Sequence, residues 1–318
     1  MNQLSDAAVA RLRDTLERPE LPARYQPIEV IGRGGMGVVW RARDALLDRD
    51  VAVKVIASHL PSDELAARLT REARIVARLE HPGVVPVHDV GALDDGRAWY
   101  VMRLVAGQRL DVAASRIASR SELLRIVERL CETVAYAHAH GVVHRDLKPG
   151  NVMLGPFGEV LVLDWGIARE QRSTRDEVGH PHAEGSAADH VTQSGTVLGT
   201  PGYMSPEQAT AGAVDERSDV FGLGAILRDL IAVHDEAAPR NLTAIRDRAT
   251  AQAPNDRYAS ALELRDDIRR YLDGARVSAH RETAIETAGR LGRVYRTPLV
   301  LVLAYVVVRV AFLLWRRL

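Results

Sequence analysis

The run His144, Arg145, Asp146, Leu147, Lys148, Pro149, Gly150, Asn151 restricts this chain more than any other stretch. It sets a carboxylate, an ammonium group and an amide in one short loop. Phosphoryl transfer from ATP requires a carboxylate to take the proton of the attacking hydroxyl, a cation on the migrating phosphoryl group and an amide oxygen to hold magnesium. Asp146, Lys148 and Asn151 supply these in turn. An ordinary exposed polar turn is the competing explanation, and the rest of the sequence decides between the two.

The chain has 318 residues, 47% of them hydrophobic and 26% charged, which is ample apolar material for a folded core. Its formal charge balances at +0, so no net field draws it to nucleic acid, which is not an expected partner. Cys131 is its single cysteine, which excludes an intramolecular disulfide and argues against a cysteine metal cluster. Its neighbours Leu130, Val134 and Ala135 place it in a helical core pattern. Residues 1–13 contain no apolar run of signal-peptide length, so the folded part is expected to stay in the ATP-containing compartment where it is made.

Residues 297–315 read TPLVLVLAYVVVRVAFLLW, with Arg309 as the internal charge and Arg290, Arg293, Arg296, Arg316 and Arg317 on the flanks. At 1.5 Å per residue, about 19 helical residues reach roughly 28 Å, just enough for a bilayer core. Arg309 costs about 2.5–3.5 kcal/mol on insertion scales, which its apolar neighbours offset. A buried amphipathic helix docked on the globular part is the alternative, and the near absence of a polar face disfavours it. The expectation is one C-terminal transmembrane helix.

Residues 1–24 read as a short polar helix and a linker containing Pro19 and Pro22. From Tyr25 the pattern is strand-like at Ile28, Val30 and Ile31, then at 38–40 and 51–56, then at 84–90 and 98–105. One helix, 63–79, interrupts the strands, with Leu65, Leu69, Ile75, Val76 and Leu79 at helical spacing. This gives a five-stranded sheet with a single helix. After Gly107 the pattern is mostly helical, around 120–140, 218–233, 241–251 and 258–272.

Gly32, Gly34, Gly37 and Val39 fit G-x-G-x-x-G-x-V. In dinucleotide sites such a turn joins a strand to a helix, whereas here it joins strand to strand, as suits a hairpin whose backbone amides approach ATP phosphates. Lys54 sits inside an apolar strand between Val53 and Val55, where an unpaired ammonium would be costly. The α- and β-phosphates of ATP and Glu72 of the following helix are its expected partners. Thirteen residues beyond Asn151, after a strand at 160–163, Asp164 precedes Trp165 and Gly166 and suits a second magnesium ligand.

Over residues 25–275 the chain resembles a bacterial eukaryotic-type (Hanks-type) serine/threonine protein kinase, for which these motifs are a known signature set. The resemblance implies an α+β, bilobal fold, with an N-lobe over 25–105 and a C-lobe over 106–275; the expected membrane helix makes 276–296 a juxtamembrane segment. It implies ATP and Mg2+ as cofactors, with Mn2+ as an alternative ion, and proteins as substrates. Asp146 would be the base, Lys148 would act on the transferred phosphoryl group and point to Ser/Thr hydroxyls, and Asn151 and Asp164 would bind magnesium. Val39, Ala52 and Met153 would sandwich adenine, Met102 would be the gatekeeper, and Leu104 and Val105 would offer hinge hydrogen bonds. Residues 199–207, GTPGYMSPE, resemble the family's substrate-docking segment, with Ser205 in place of the usual Ala. Glu207 would pair with Arg257, and Asp219 would brace the catalytic loop. Ser194 and Thr196, then Thr192, are candidate regulatory phosphosites, in a polar stretch expected to be mobile when unphosphorylated.

Three departures from the family pattern stand out. Arg103 occupies the usual Glu position beside the gatekeeper, Trp165 replaces the Phe of DFG, and the connection from Ile231 to Leu242 is short, so the substrate-docking lobe looks trimmed. The expected activity is ATP-dependent Ser/Thr protein phosphorylation, regulated by activation-loop autophosphorylation, at the cell (inner) membrane in a single-pass protein with a cytoplasmic kinase domain. A pseudokinase scaffold is the alternative, and a small-molecule phosphotransferase is disfavoured by the GTPGYMSPE segment. With about three residues after Trp315, no external sensor is expected. Sensing would come from the cytoplasmic side, the membrane segment or a partner, and pairing of two copies follows by family analogy.

Overall fold

The computed structural model describes residues 18–34, 37–56, 63–165, 169–170, 202–210, 212–233, 238–283, 286–288 and 296–316. Within these, the side chains of 63–69, Glu72, 169–170, 296–299, 303 and 310–314 lie outside the description. Strands β1 (Tyr25–Gly34), β2 (Gly37–Asp44), β3 (Arg49–Ile56), β4 (Val87–Ala92) and β5 (Ala98–Arg103) form an antiparallel sheet in the order β1-β2-β3-β5-β4. Helix α1 (Asp63–Arg78) follows β3.

The period-2 alternation of β3 decides which way each side chain faces. Val51, Val53 and Val55 enter one cluster with Tyr25, Trp40 and Trp99. Ala52 and Lys54 face the other way and line the cleft between the lobes. Ile56 joins Ala73 of α1, Ala98 and Tyr100. The strand is paired on both edges, by β2 and β5, so its ladder leaves no free edge.

The second lobe opens with β6 (Gln108–Arg109) and α2 (Leu110–Ala113) and is built around α3 (Arg120–Ala139). Ser119 caps α3 by accepting a hydrogen bond from the Glu122 N–H at 3.3 Å. Leu123, Leu124, Val127, Leu130, Cys131, Val134 and Ala137 of α3 are all buried. Then come β7 (Val142–Val143), β8 (Val152–Leu154), β9 (Val160–Val162), β10 (Arg169–Glu170), α4 (Pro206–Ala209), α5 (Glu216–Ala232), α6 (Arg240–Ala249) and α7 (Ala261–Leu272). Strands β6, β8 and β9 form a small sheet under the cleft. Because α6 begins eight residues after α5 ends, no helix stands between them among the described residues.

The two lobes share one core. Ile75, Val76 and Leu79, from α1 and its end, pack in the same cluster as α3. Val84 bridges Val162 of β9, and the Val162 N–H donates to Gly83 O at 2.8 Å. A Cβ on Gly83 would lie 2.0 Å from the Thr133 hydroxyl of α3, so only glycine allows this approach. Val84, expected to begin a strand, thus serves as a link to the helical lobe, and β4 starts at Val87.

Helix α8 (Arg296–Trp315) covers the apolar C-terminal segment, with Val300, Leu301, Val302, Tyr305, Val306, Val307 and Val308 exposed. Among the described residues alone, no helix is long and apolar enough to cross a membrane. Residues 1–17 and the loop at 234–237 lie outside the described residues.

Cys131 is fully buried, and burial raises its thiol far above the ordinary range. It is expected to resist a thiol reagent in the native protein and to react as the chain unfolds. Labelling along a urea titration, read by mass spectrometry, checks this.

Candidate active site

The catalytic loop at 144–151 has little regular structure, so side chains must fix it. Asp219, at 1% exposure near the start of α5, takes this task. Its Oδ2 accepts from the His144 N–H at 2.7 Å, its Oδ1 accepts from the Arg145 N–H at 2.8 Å, and the His138 ring meets Oδ2 at 2.8 Å. Although burial opposes the charge, the hydrogen bonds from His138 and from the Arg145 N–H hold the Asp219 carboxyl below its usual range. A Cβ on Gly222 would come within 3.0 Å of the Leu147 Cβ, so α5 lets the loop lie directly on it.

His144 is fully buried and works through both ring nitrogens. Nδ1 accepts from the Asp146 N–H at 3.2 Å, and Nε2 lies 2.9 Å from Leu163 O. These contacts require the neutral tautomer with the proton on Nε2. His144 therefore ties the Asp146 backbone to the segment leading into Asp164. The indole of Trp165, 4.7 Å from the His144 ring and 2% exposed, donates its N–H to Val162 O at 3.3 Å. In place of Phe, Trp165 fills the apolar slot and satisfies its polar atom there.

Arg145 and Asp164 have φ of 71° and 54°, left-handed backbone that is rare outside glycine. Each costs on the order of 1–3 kcal/mol and persists only where the surroundings dictate it. At Arg145 the N–H is held by Asp219, and the carbonyl accepts from Gln208 Nε2 at 2.7 Å. Gln208 Oε1 in turn accepts from the Ser205 N–H at 3.0 Å and hydroxyl at 2.9 Å, in the capping box of α4. Ser205 thereby joins the segment at 202–209 to the loop at 144–151.

The Asp146 carboxylate receives the Lys148 ammonium at 2.8 Å and the Asn151 Nδ2 at 3.0 Å. Asn151 Nδ2 also donates to Asp146 O at 2.8 Å, which leaves its Oδ1 as the atom able to meet a cation. On the facing wall, Lys54 is 8% exposed, and its ammonium sits 3.1 Å from Asp164 Oδ1 and 5.7 Å from the Tyr100 ring centroid. Burial works against the Asp164 anion, but Lys54 close by keeps its carboxyl below the ordinary range. Asp164 retains 54% side-chain exposure towards the cleft. Among the described residues no three His, Cys, Asp or Glu side chains gather into a metal centre. Asn151 Oδ1 and Asp164 fit magnesium, which binds few protein ligands and completes its shell with water and phosphate oxygens.

A cleft of about 760 Å³ brings these groups together. It is lined by Gly32, Gly34 and Gly37, by the apolar Val39, Ala52, Met102, Leu104, Val105 and Met153, and by Lys54, Asp146, Lys148, Asn151 and Asp164. A Cβ on Gly37 would lie 2.2 Å from Val55 O, so this glycine is required by the β2–β3 approach itself. The backbone of Glu72 lies on α1, but its side chain, and with it the expected pair with Lys54, lies outside the described residues. So do Ser194, Thr196 and Thr192. Away from the cleft, Glu207 and Arg257 form a two-pronged pair, with both N···O distances at 2.8 Å.

Residues 25–267 match the protein kinase domain family. The chain belongs to the protein kinase family. Within it, the relatives are bacterial Hanks-type serine/threonine kinases. The serine/threonine-protein kinase PknD of Chlamydia felis is 35% identical over 294 residues, covering 79% of this chain and 31% of that protein. The DNA damage-responsive serine/threonine-protein kinase RqkA of Deinococcus radiodurans is 40% identical over 211 residues, covering 65% and 29%. The chain thus spans about a third of the length of these curated relatives. The crystal structure of the Mycobacterium tuberculosis PknI kinase domain superimposes with a TM-score of 0.57 at 27% identity, covering 78% of this chain and 96% of that one.

Sequence reasoning missed Gln208, His138, and the contacts of Trp165 in this kinase domain. The Ser205-x-x-Gln208 spacing is a capping-box signal that could have flagged the first. His138 lies 81 residues from Asp219, a pairing that no local pattern shows.

Burial opposes ionisation of Glu207, but hydrogen bonds from Arg257 and Ser218 bring its carboxyl down to about 2 from 4.5. The folded-state value is depressed, so the stabilisation is present above about pH 4.5 and is lost as the pH falls towards 2. Equilibrium unfolding between pH 6 and pH 2 is expected to show a shallower acid loss in Glu207→Gln. Arg257→Ala, which removes a buried guanidinium and leaves the half-buried Glu207 carboxylate without its partner, is expected to cost about 3–5 kcal/mol at pH 7.

Proposed function

We propose that this chain is an ATP-dependent serine/threonine protein kinase, anchored in the cell membrane by residues 297–315 with the catalytic lobes on the cytoplasmic side. The observation that carries the catalytic reading is the pairing of Asp146 with Lys148 and Asn151, across the cleft from Lys54 and Asp164. Asp146 takes the proton of the acceptor Ser or Thr hydroxyl. Lys148, held on Asp146 until substrate enters, moves to the charge that develops on the transferred group. Lys54 orients the α- and β-phosphates, and Asn151 and Asp164 would hold Mg2+, which would supply neutralisation of phosphate charge. Val39, Ala52 and Met153 enclose the adenine ring, and the backbone at Leu104 and Val105 reads its edge.

Control passes through the activation segment, where Ser194 and Thr196 are the first candidates for autophosphorylation, with Thr192 as the third. A phosphoryl group there would order the segment by pairing with cationic side chains. For the anchor, support comes from the sequence: nearly continuous apolar character over 297–315, flanked by arginines, and the exposed apolar side chains of α8.

Incubated with ATP and Mg2+, the wild-type chain is expected to gain phosphate on the activation segment, read by intact and peptide mass spectrometry. Asp146→Asn is expected to lower the rate by about 10²–10⁴-fold, the usual worth of a positioned general base. Equal incorporation by the variant overturns the assignment of Asp146. The anchor is tested separately: the full chain is expected in the membrane pellet after alkaline wash, and recovery in the supernatant overturns it.

A further inference from the structure

We propose that Arg109 is a specificity-determining residue that selects acceptor peptides carrying an acidic side chain close to the phosphorylated hydroxyl. This rests on the protein kinase reading above and names the substrate class of that site.

Strand β6 pairs Arg109 with Met153 of β8, which sets its side chain at the mouth of the cleft. There it folds over the catalytic loop, so that a Cβ on Gly150 would lie 2.7 Å from one terminal nitrogen of the guanidinium. Gly150 immediately precedes Asn151, whose amide is hydrogen-bonded to the Asp146 carboxylate. The Arg109 charge therefore stands over the loop that carries Asp146 and Asn151, at the mouth of the cleft. Any larger residue at 150 would have to displace it.

The present partner of Arg109 is Asp111, with contacts of 3.2 and 2.5 Å. The two side chains are 56% and 38% exposed. A water-exposed pair of this kind is worth about 0–1 kcal/mol, so an incoming carboxylate can exchange with Asp111 at little cost. Of the two, Arg109 lines the cleft and Asp111 does not. Among the described residues, the carboxylates that do line it, Asp146 and Asp164, already hold Lys148 and Lys54. In the substrate-docking segment, Tyr203 donates its hydroxyl to Asp229, whose other oxygen accepts from Arg228 Nε at 2.9 Å. Among the described residues, the carboxylates a basic flank would seek are thus engaged or turned away, while Arg109 lines the cleft. An extended peptide advances about 3.3 Å per residue, which puts acidic side chains within about three positions of the acceptor in reach.

The test uses the full-length chain and peptides with one Ser or Thr acceptor, flanked by Asp and Glu, by Arg and Lys, or by Ala alone. Wild type is expected to use the acidic set with kcat/KM at least about tenfold above the basic set. Arg109→Gln should bring the two near parity, and Arg109→Glu should invert the order, each with the KM for ATP unchanged. Gly150→Ala, which moves the guanidinium without removing it, should weaken the acidic preference and guards against misfolding of the Arg109 variants. A wild-type preference for the basic set, equal use of both, or an acidic preference that survives Arg109→Glu overturns the proposal. A parallel rise in the KM for ATP assigns Arg109 to the nucleotide and also overturns it. If wild type phosphorylates no peptide and not itself, the kinase reading fails first.

Discussion

A loop without a ladder of backbone hydrogen bonds must borrow its rigidity, and here the lender is the buried carboxylate of Asp219. Its two oxygens engage two consecutive backbone amides and one imidazole. A carboxylate removed from water is stable only when such donors replace its hydration. The same contacts hold Arg145 in a left-handed conformation that it would not adopt alone. Asp146 inherits its direction from this arrangement, and Lys148 and Asn151 are in turn fixed on Asp146.

A second constraint couples the two lobes. Lys54 is placed by strand alternation and Asp164 by the turn after β9, yet their charges meet at 3.1 Å. The meeting depends on the shared core of α1 and α3 and on the bridge from Val84 to β9. Packing that looks remote from chemistry therefore sets the width of the cleft. The segment at 202–209 is tied in the same way, since Gln208 reaches from the Ser205 cap to the carbonyl of Arg145. With α6 following soon after α5, this segment is held by α4, Tyr203 and the pair of Glu207 with Arg257.

Much of this was legible in the sequence because it is local. A lysine between Val53 and Val55 marked Lys54 as a charge set in an apolar strand, and helical spacing marked α1, α3 and the later helices. The motif residues Gly32, Gly37, Lys54, Asp146, Asn151 and Asp164 could be named from spacing and from resemblance to a family. Less legible were partners brought together from far along the chain. The pairs of His138 with Asp219 and of His144 with Leu163 join residues whose sequence neighbours give no sign of it. Val84 opens a valine-rich run that suits a strand, whereas its contacts with β9 make it a link between lobes.

The sequence by itself determined the chemical inventory, the bilobal order of elements and the apolar C-terminal segment, since each depends on residue type and short-range periodicity. Only the tertiary structure decided how that inventory is aimed. Burial gave Asp219 and His144 their partners, and steric closeness made Gly37 and Gly83 necessary and left little room at Gly222. The small size of Gly150 let Arg109 settle over the catalytic loop. These outcomes follow from distances between residues far apart in the chain, and such distances exist only once the core has formed.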